Sequence, residues 1–305
     1  RDHAVRPGAN HCSACAFALG HTLGQPGVRP DELVPPTVLH FFNGDFILTE
    51  PHLLVQRDQA VLTLTINRPD QRNAISPKVM SGVIEQLHAS RADAQLRAIV
   101  ITAAGEKAFC AGADLGSGKS FQFDYAEPRL PMPEMFRAAR ATNVPIIGRI
   151  NGTVMAGGIG LLAICDLAIA ADHAQFGLPE VKVGVYPMQV LAVLQHLIPR
   201  RRLLQLCMTG EPVSAAEALE IGLLSSVVPY VQLDSAIESL LSKILDKSPT
   251  AIRRGKYATY AIETMSFEES LNFMEGQIGL LAATQDAAEG QLAFREKRKP
   301  VWSGR

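Results

Sequence analysis

The chain has 305 residues, of which 47% are hydrophobic and 19% are charged. This composition is typical of a globular protein with a full core and excludes disordered and collagen-like chains. With 29 basic and 30 acidic residues the formal net charge is -1, so the excess of positive charge that nucleic-acid binders use is missing. We therefore expect no nucleic-acid partner, and no apolar run reaches the roughly 20 residues that a membrane helix needs.

The cysteines and the first 50 residues bear on compartment and metal binding. Five cysteines, an odd number, are scattered through a long chain, which favours a reducing compartment such as the cytoplasm. Cys12 and Cys15 form a C-x-x-C, but no second pair follows at zinc-ligand spacing, so no metal site is expected. Residues 1–50 are interrupted by Gly and Pro. We expect them to be a poorly ordered or non-native N-terminal extension.

From Leu53 onward, strand and helix signals alternate. Ser76-Pro77 is typical of a helix N-cap followed by Pro at the first helical position, and predicts a helix to about His88. Short runs rich in β-branched and apolar residues predict four buried strands. These strands are Val61–Ile66, Arg97–Thr102, Val144–Ile150 and Leu167–Ala170.

The character of the chain changes near residue 200. Ser214 and Glu217 form a capping box that predicts the start of a helix, and from about Leu233 to Arg298 only helix signals remain. The sequence therefore predicts an α/β fold with a core over residues 51–200 and a helical C-terminal region over residues 201–305.

Two segments of small residues are candidates for ligand binding. Gly152–Gly160 follows a predicted strand and opens a helix. Its backbone N–H groups therefore lie at the helix N-terminus, the positive end of the helix dipole, where an anion is favoured. Three interpretations are open: a nucleotide-phosphate loop, glycines needed for close packing, or amides that stabilise an oxyanion. Ala108–Leu115 also follows a strand and leaves its amides accessible. Together, the two loops predict two N–H donors for one carbonyl oxygen, as acyl chemistry requires.

Motifs in these segments and elsewhere resemble the enoyl-CoA hydratase/isomerase (crotonase) family, in order, from about residue 53 to the end of the chain. The motifs are Ile66–Pro69 with Arg72–Ala74, Phe109–Asp114, Asn151–Gly158 with Cys165-Asp166, Phe176–Glu180 and Phe294–Pro300. The resemblance implies a spiral of ββα units with a helical C-terminal oligomerisation region, and trimers that pair into hexamers. It also implies an acyl-CoA thioester as the ligand, without a metal or redox cofactor.

The resemblance also implies roles for individual residues. The N–H groups of Ala113 and Gly157 would form the oxyanion hole. Arg72 and Ala74 would border coenzyme A, and Ala111 would contact its adenine part. Lys297, from a neighbouring subunit, would contact the phosphates of coenzyme A. The alternative interpretation of the basic cluster Arg295, Lys297, Arg298 and Lys299 is a solvated helix end. Met188 is expected in the acyl pocket, whereas Asp166 is expected to form structural hydrogen bonds.

The acid–base residues separate two activities of this family. Hydratases use two glutamates to hold a water molecule; the second matches Glu180, but the first position is Gly160. A single carboxylate is enough to move a proton during Δ3,Δ2-enoyl-CoA isomerisation, which we therefore favour over hydration. The alternative for Glu180 is a surface ion pair with Lys182.

Other activities remain open from the sequence. A replacement group for hydration would come from Phe121–Phe136, where the family has a variable loop and helix over the acyl pocket. Decarboxylases and thioesterases share enolate or oxyanion stabilisation, and a fold does not determine the reaction. A catalytically impaired acyl-CoA-binding protein is the non-enzymatic alternative.

Overall fold

The computed structural model describes residues 38–42, 45–49, 51–114, 126 and 129–305. Within the stretch 1–50, two antiparallel strands pair, β1 (Val38–Phe42) and β2 (Asp45–Thr49). The sequence pattern of this stretch predicts neither strand. The C-x-x-C of Cys12 and Cys15 lies outside the described residues, so the expectation for that segment stays a prediction.

The larger sheet has six strands. They are β3 (Leu53–Asp58), β4 (Val61–Ile66), β5 (Ala98–Ala103), β7 (Ile146–Ile150), β9 (Leu167–Ala171) and β12 (Ser226–Val228). Their order is β12-β9-β7-β5-β4-β3, and every neighbouring pair is parallel except the β3–β4 hairpin. All six residues of β5 are buried, as expected for a parallel strand covered on both faces. The four strands predicted from sequence are confirmed as β4, β5, β7 and β9.

The smaller sheet has strands of two or three residues. They are β6 (Ala108–Cys110), β8 (Thr153–Met155), β10 (Gln175–Gly177) and β11 (Val213–Ser214), in the order β11-β10-β8-β6. β6, β8 and β10 are parallel, so their carboxyl ends meet at one edge of the sheet. Strands this short show no periodicity in sequence. Only the motifs pointed to two of them, as the strand-to-loop segment at Ala108–Leu115 and the strand region of Phe176–Glu180.

Ten α-helices lie in the described part of the chain. They are α1 (Pro77–Ser90), α2 (Pro131–Ala141), α3 (Gly157–Ala163), α4 (Met188–Leu194), α5 (Arg200–Thr209), α6 (Ala215–Glu220), α7 (Leu233–Leu245), α8 (Pro249–Ile262), α9 (Phe267–Ala282) and α10 (Gln285–Glu296). The two predicted helix starts are confirmed: the Ser76 hydroxyl caps α1, and Ser214 with Glu217 forms a complete capping box. No helix among these residues is both long and apolar enough to cross a membrane.

Beyond residue 200 the structure differs in part from the expectation. The helical prediction from Leu233 is confirmed by α7 to α10, but β11 and β12 also lie in the C-terminal region. Both strands add to the edges of sheets formed by earlier residues. Each has only two or three residues, so the sequence pattern does not separate them from the helical segments around them.

Asp166 joins α8 to the core. Its carboxylate accepts hydrogen bonds from the Ile146 N–H at 2.7 Å, from Lys256 Nζ at 2.6 Å and from the Tyr260 hydroxyl at 3.0 Å. Lys256 also donates to the Val144 carbonyl at 2.9 Å. The expected structural role of Asp166 is therefore confirmed.

Candidate active site

Three candidate residues follow the three parallel strands of the smaller sheet. Ala113 comes after β6, Gly157 after β8 and Glu180 after β10. Because the carboxyl ends of these strands meet at one edge, the topology gathers segments that are up to 67 residues apart in sequence. Loops at this edge of a parallel sheet are a common position for functional residues.

The loop after β8 turns sharply into α3. Ala156 has φ 50° and ψ −127°, a conformation that L-residues rarely adopt and that costs of the order of 1–3 kcal/mol. Its N–H donates to the Gly177 carbonyl at 2.9 Å, which holds the turn against β10. The turn leaves Gly157 at the first position of α3, where a helix has no internal acceptor for the N–H.

The glycines of this loop are needed for different reasons. A Cβ at Gly152 would lie 2.6 Å from the Lys107 carbonyl carbon, and one at Gly158 would lie 2.5 Å from the Cys110 carbonyl oxygen. Both contacts are with backbone, so close packing explains these two residues. At Gly157 the tightest contact of a Cβ would be the end of the Met132 side chain, at 3.0 Å, and the nearest backbone atom would lie at 3.6 Å, an ordinary van der Waals distance. Close packing with backbone therefore does not explain Gly157.

The loop after β6 contacts the loop after β8. Gly112 has φ +103°, and its carbonyl accepts the Ile75 N–H at 2.8 Å while the Asp114 N–H donates to Ile75 at 3.1 Å. A Cβ at Gly112 would lie 2.9 Å from the Ala156 Cβ and 3.4 Å from the Gly157 nitrogen. Only a glycine with this φ lets the two loops approach so closely.

The two loops bring two backbone donors together. The Ala113 nitrogen lies 3.6 Å from the position of a Cβ on Gly157. Within the residues that the structure describes, neither N–H donates a hydrogen bond, and Ala113 is exposed. Two adjacent N–H groups without acceptors have the chemistry of an oxyanion hole.

Arg68 and Asn73 hold these loops, and sequence reasoning assigned neither of them a role. The Arg68 guanidinium bonds the Asp114 carboxylate at 2.7 Å and the Ala74 carbonyl at 2.6 Å. The Asn73 side chain donates to the Ala108 carbonyl at 2.7 Å and accepts the Arg68 N–H at 3.0 Å. Both residues belong to the first family-like motif, which was the only signal for them. Asp114 directly follows Ala113, so Arg68 fixes the backbone beside one of the two free amides.

Glu180 carries an unsatisfied carboxylate. It lies in a 3₁₀ helix, Pro179–Val183, and its Oε2 is buried without a hydrogen-bond partner in the described structure. Burial raises the pKa of Glu180, and a hydrogen bond from its own backbone N–H offsets part of that rise. Lys182, the partner expected under the surface interpretation, instead bonds Glu211 at 2.8 Å. The carboxylate therefore has the free oxygen and raised pKa of a general base.

Tyr186 and Cys207 lie close to Glu180. The Tyr186 hydroxyl lies beside the Cys207 thiol, and the interaction between them offsets part of the rise in the pKa of Cys207. Burial raises the pKa of the Cys207 thiol, and the Glu180 charge raises the pKa further. The thiol therefore stays protonated and is not a nucleophile at neutral pH.

The space above Gly160 is filled by apolar side chains of α2. A Cβ at Gly160 would lie 3.2 and 3.3 Å from two ring carbons of Phe136 and 3.6 Å from the Met132 sulfur. The end of the Met132 side chain also lies over Gly157, at 3.0 Å from its Cβ position. The first turn of α3 therefore has an apolar cover. Of the variable segment Phe121–Phe136, residues 121–125 and 127–128 lie outside the described residues.

The other predicted binding residues fall in three places. The Ala111 N–H donates to the Arg72 carbonyl at 3.1 Å, and Ala74 accepts from Arg68, so the three predicted coenzyme A contacts in these loops lie together. Met188 is 72% exposed at the start of α4, and its acyl-pocket role stays a prediction. Lys297 is an exposed residue with φ 55° at the end of α10.

Comparison with known proteins identifies the family. The family Enoyl-CoA hydratase/isomerase matches residues 56–305, so the chain belongs to this family. The 2,3-dehydroadipyl-CoA hydratase of Escherichia coli is 33% identical over 257 residues, covering 83% of this chain and 99% of that protein. The (E)-benzylidenesuccinyl-CoA hydratase of Thauera aromatica is also 33% identical, covering 80% of this chain and 96% of that protein.

Solved structures have the same fold. An enoyl-CoA hydratase from Mycobacterium smegmatis is 34% identical with a TM-score of 0.77, and the match covers 83% of this chain and 99% of that chain. The predicted crotonase-like α/β fold with a helical C-terminal region is thereby confirmed. One relative, from mouse, is the mitochondrial enoyl-CoA hydratase domain-containing protein 3, at 33% identity over 84% of this chain and 86% of that protein. A cytoplasmic location for the present chain stays a prediction.

Proposed function

We propose that this chain stabilises the enolate of an acyl-CoA thioester and uses Glu180 as its one general acid and base. The N–H groups of Ala113 and Gly157 bind the thioester oxygen, where negative charge develops when the α-proton leaves. The observation that carries the proposal is the buried Glu180 oxygen without a partner, since the free carboxylate is ready to accept a proton. The step transfers a proton only, so it needs no redox cofactor.

The reaction we favour is the isomerisation of a 3-enoyl-CoA to a 2-enoyl-CoA. Glu180 takes a proton from C2 while the thioester oxygen becomes the enolate oxygen, and the same carboxyl returns a proton to C4 as the double bond moves. One carboxyl group serves both steps. The raised pKa of Glu180, caused by burial, suits a group that alternates between base and acid near neutral pH.

The surroundings of Gly160 support isomerisation over hydration. Adding water requires a water molecule to be held in position beside the double bond, and Gly160 supplies no side chain for this. Phe136 and Met132 cover the same turn with apolar groups, which do not hydrogen-bond water. Positioning accounts for a large part of such catalysis, so a water held by one carboxylate is at a disadvantage.

Hydration is the second candidate, because the relatives from Escherichia coli and Thauera aromatica are named hydratases. It requires another group to replace the missing glutamate. A catalytically impaired acyl-CoA-binding protein is the third, and the unpaired Glu180 oxygen argues against it. A buried carboxylate without a function would only destabilise the protein, because burial removes it from water.

Coenzyme A binding and assembly complete the proposal. Arg72 and Ala74 border coenzyme A, Ala111 contacts its adenine part, Met188 lines the acyl pocket, and Lys297 from a neighbouring subunit contacts its phosphates.

We propose a homotrimer, or a hexamer formed by two trimers. An apolar stripe on α9 supports assembly: its residues recur at spacings of three and four and are each at least 41% exposed. They are Phe267, Leu271, Met274 and Ile278.

Two parallel absorbance assays of conjugated enoyl thioester test the reaction. One cuvette holds a 3-enoyl-CoA and the other a trans-2-enoyl-CoA. We expect absorbance to rise in the first cuvette and to stay constant in the second. A fall in the second would show hydration and reject the preference for isomerisation. No change in either, with tight acyl-CoA binding, would favour the binding protein.

A further inference from the structure

Five non-glycine residues of the described chain have a positive φ, a conformation that L-residues rarely adopt. Gln59 lies in the two-residue turn of the β3–β4 hairpin, where a positive φ is common. Three others, Arg72, Asn73 and Ala156, lie in the loops that form the candidate active site. The fifth, Lys297, follows α10 and belongs to none of those loops. Its conformation therefore needs an explanation of its own.

Lys297 occupies a position at which helices usually place glycine. α10 ends at Glu296, and the N–H of Lys297 donates to the Phe294 carbonyl at 3.3 Å. The N–H of Arg298 donates to the Ala293 carbonyl at 3.0 Å. This pair of bonds is a Schellman motif, in which the residue after the helix has the left-handed conformation. Glycine adopts this conformation without strain and lysine does not, so ending the helix does not explain a lysine here.

The ammonium group of Lys297 is free to bind a ligand. The neighbouring Arg298 is already paired, since its guanidinium bonds the carboxylates of Glu289 and Glu296. Lys297 is exposed, and no carboxylate in the described part of the chain pairs with it. A strained backbone persists when its surroundings hold it, and such strain is concentrated at functional sites. The structure therefore separates a structural cation, Arg298, from an available one.

Glu289 fastens the segment after Lys297 to α10. Its two oxygens accept hydrogen bonds from the Arg298 guanidinium at 2.5 and 2.9 Å, and Oε1 also accepts the Val301 N–H at 2.7 Å. The bonds from Arg298 and Val301 lower the pKa of Glu289 to about 2, so the carboxylate is charged at neutral pH. A two-pronged bond between a guanidinium and a carboxylate also fixes geometry. Glu289 thereby holds the chain on both sides of the reversal.

Asp286 fastens the far end of the same segment. Its Oδ1 accepts the N–H groups of Ser303 at 2.8 Å and Gly304 at 3.0 Å, and its Oδ2 accepts the Ser248 hydroxyl at 2.7 Å. Asp286 is buried on α10. Because residues 298–304 are bonded to α10 at two places, Lys297 cannot relax to a negative φ without breaking some of these bonds.

We propose that Glu289 is a positioning residue for coenzyme A binding. By bonding Arg298 and Val301, it keeps Lys297 in the left-handed conformation and so fixes the place from which the free ammonium binds phosphate. Glu289 does not contact the ligand itself. That Lys297 contacts the phosphates of coenzyme A rests on the proposed function, whereas the action of Glu289 on Lys297 rests on the bonds described above.

Glu289→Gln tests the proposal through binding, which does not depend on turnover. Glutamine has the same size but lacks the charge that holds Arg298, so Lys297 should leave the left-handed conformation for part of the time. We expect the dissociation constant of butanoyl-CoA to rise by up to about tenfold. S-butanoylpantetheine carries the same thioester without the phosphates, and its dissociation constant should not change.

Glu296→Gln is the matched control for charge. It also removes one negative charge close to Lys297 and one bond to Arg298, the bond to Nε at 2.7 Å, but Glu296 does not bond Val301. If charge alone mattered, both variants would bind phosphate more tightly. We expect weaker binding of butanoyl-CoA in Glu289→Gln and no weakening in Glu296→Gln.

Lys297→Gly separates the conformation from the charge. It removes both the strain and the ammonium, so the thermal midpoint should rise while butanoyl-CoA binds about tenfold more weakly. Adding Glu289→Gln to this variant should weaken binding no further, because Glu289 acts through Lys297. Arg298→Lys keeps the positive charge but loses the two-pronged bond. It should give a smaller loss than Glu289→Gln and provides the test if Glu289→Gln does not fold.

Calorimetric titration of the assembled protein measures these affinities, and thermal melting with size-exclusion chromatography establishes fold and assembly. A loss in Lys297→Gly but in neither Glu289→Gln nor Arg298→Lys would overturn the role of Glu289 and leave the phosphate contact in place. An equal loss in Glu296→Gln and Glu289→Gln would also overturn it. Unchanged binding in Lys297→Gly would reject the phosphate contact and the inference together. The expected pattern in a protein that turns over no enoyl-CoA would support Glu289 and reject the proposed reaction.

Discussion

Two partly buried carboxylates of this protein have opposite surroundings. Asp166 accepts three hydrogen bonds, two of them from Lys256 and Tyr260 of α8. Glu180 has a buried oxygen with no partner in the described structure, and burial raises its pKa. Both residues come from family-like motifs, and the sequence favoured a structural role for Asp166 and a catalytic role for Glu180. In the structure the two carboxylates differ in their hydrogen bonding. Hydrogen bonding determines whether a carboxylate oxygen is free to accept a proton.

The difference follows from the cost of desolvation. A carboxylate that loses water regains the lost free energy when donors surround it, and Asp166 therefore stabilises the contact between α8 and the core. An oxygen without a donor costs of the order of 1–3 kcal/mol. Natural proteins keep such costs mainly at functional sites. Glu180 is therefore the carboxylate to test for chemistry, and Asp166 the one to test for stability.

The largest expected effect is on turnover in Glu180→Gln. Glutamine keeps the shape of the side chain but accepts no proton, so we expect kcat to fall by about 10²–10⁴-fold. The thermal midpoint should be unchanged or higher, because the buried unpaired charge is gone. Stopped-flow absorbance and thermal melting measure both. Full activity in a folded Glu180→Gln protein would eliminate Glu180 as the base.

Removing one of the two free amides should have the next largest effect. Gly157→Pro deletes the N–H at a helix position that tolerates proline, and we expect kcat to fall by about 10²–10³-fold. Gly157→Ala is a second variant that keeps the N–H; its Cβ would lie 3.0 Å from the flexible end of Met132 and 3.6 Å from the Ala113 nitrogen. Unaltered kinetics in a folded Gly157→Pro protein would refute the role of the amide.

Asp166→Asn should act on stability and leave the chemical step unchanged. The side chain of Lys256 is only 8% exposed, so losing its partner leaves a buried charge and should lower the free energy of unfolding by about 2–4 kcal/mol. Urea denaturation measures this. Replacing Lys256 by Met in the same variant should recover part of the loss. If Asp166→Asn instead lowers kcat per folded molecule as much as Glu180→Gln does, the contrast between the two carboxylates fails.

Sequence reasoning reached the fold and the two amide loops for identifiable reasons. Long buried strands such as Val61–Ile66 and capped helices such as the one at Ser76 leave strong local patterns. Short strands such as Thr153–Met155 leave none, because their position depends on neighbours elsewhere in the chain. The motifs found the loops, and the topology of those short strands explains why the loops meet.

The partners of the site residues were beyond the reach of the sequence. Lys256 and Tyr260 are 90 and 94 residues from Asp166, and nothing local links them. Gly160 was identified as a missing glutamate, but a glycine does not reveal which side chain takes its space. Only the packing of α2 on α3 shows that this side chain is Phe136.

A second carboxylate on α3 should change the reaction only when there is room for it. Gly160→Glu alone places a Cβ 3.2 Å from the Phe136 ring, closer than ordinary van der Waals contact, so we expect little gain in hydration of a trans-2-enoyl-CoA. Gly160→Glu with Phe136→Ala should raise hydration by about tenfold, since the new carboxylate can then help to hold water. Phe136→Ala alone is the control. Equal hydration rates in the double variant and this control would refute the idea that a missing carboxylate limits hydration.

The pH dependence of stability should give the smallest effect and should run opposite to that of activity. Burial raises the pKa of Glu180 above its ordinary value of 4.5, so between 4.5 and the folded-state value the native protein binds more protons than the unfolded chain. The contribution of Glu180 to stability therefore falls as pH rises through this interval, whereas kcat/KM rises as the base ionises. The stability advantage of Glu180→Gln should grow over the same interval and then stay constant. An advantage that does not change with pH would show that burial leaves the pKa of Glu180 unshifted, and would remove the physical distinction between Glu180 and Asp166.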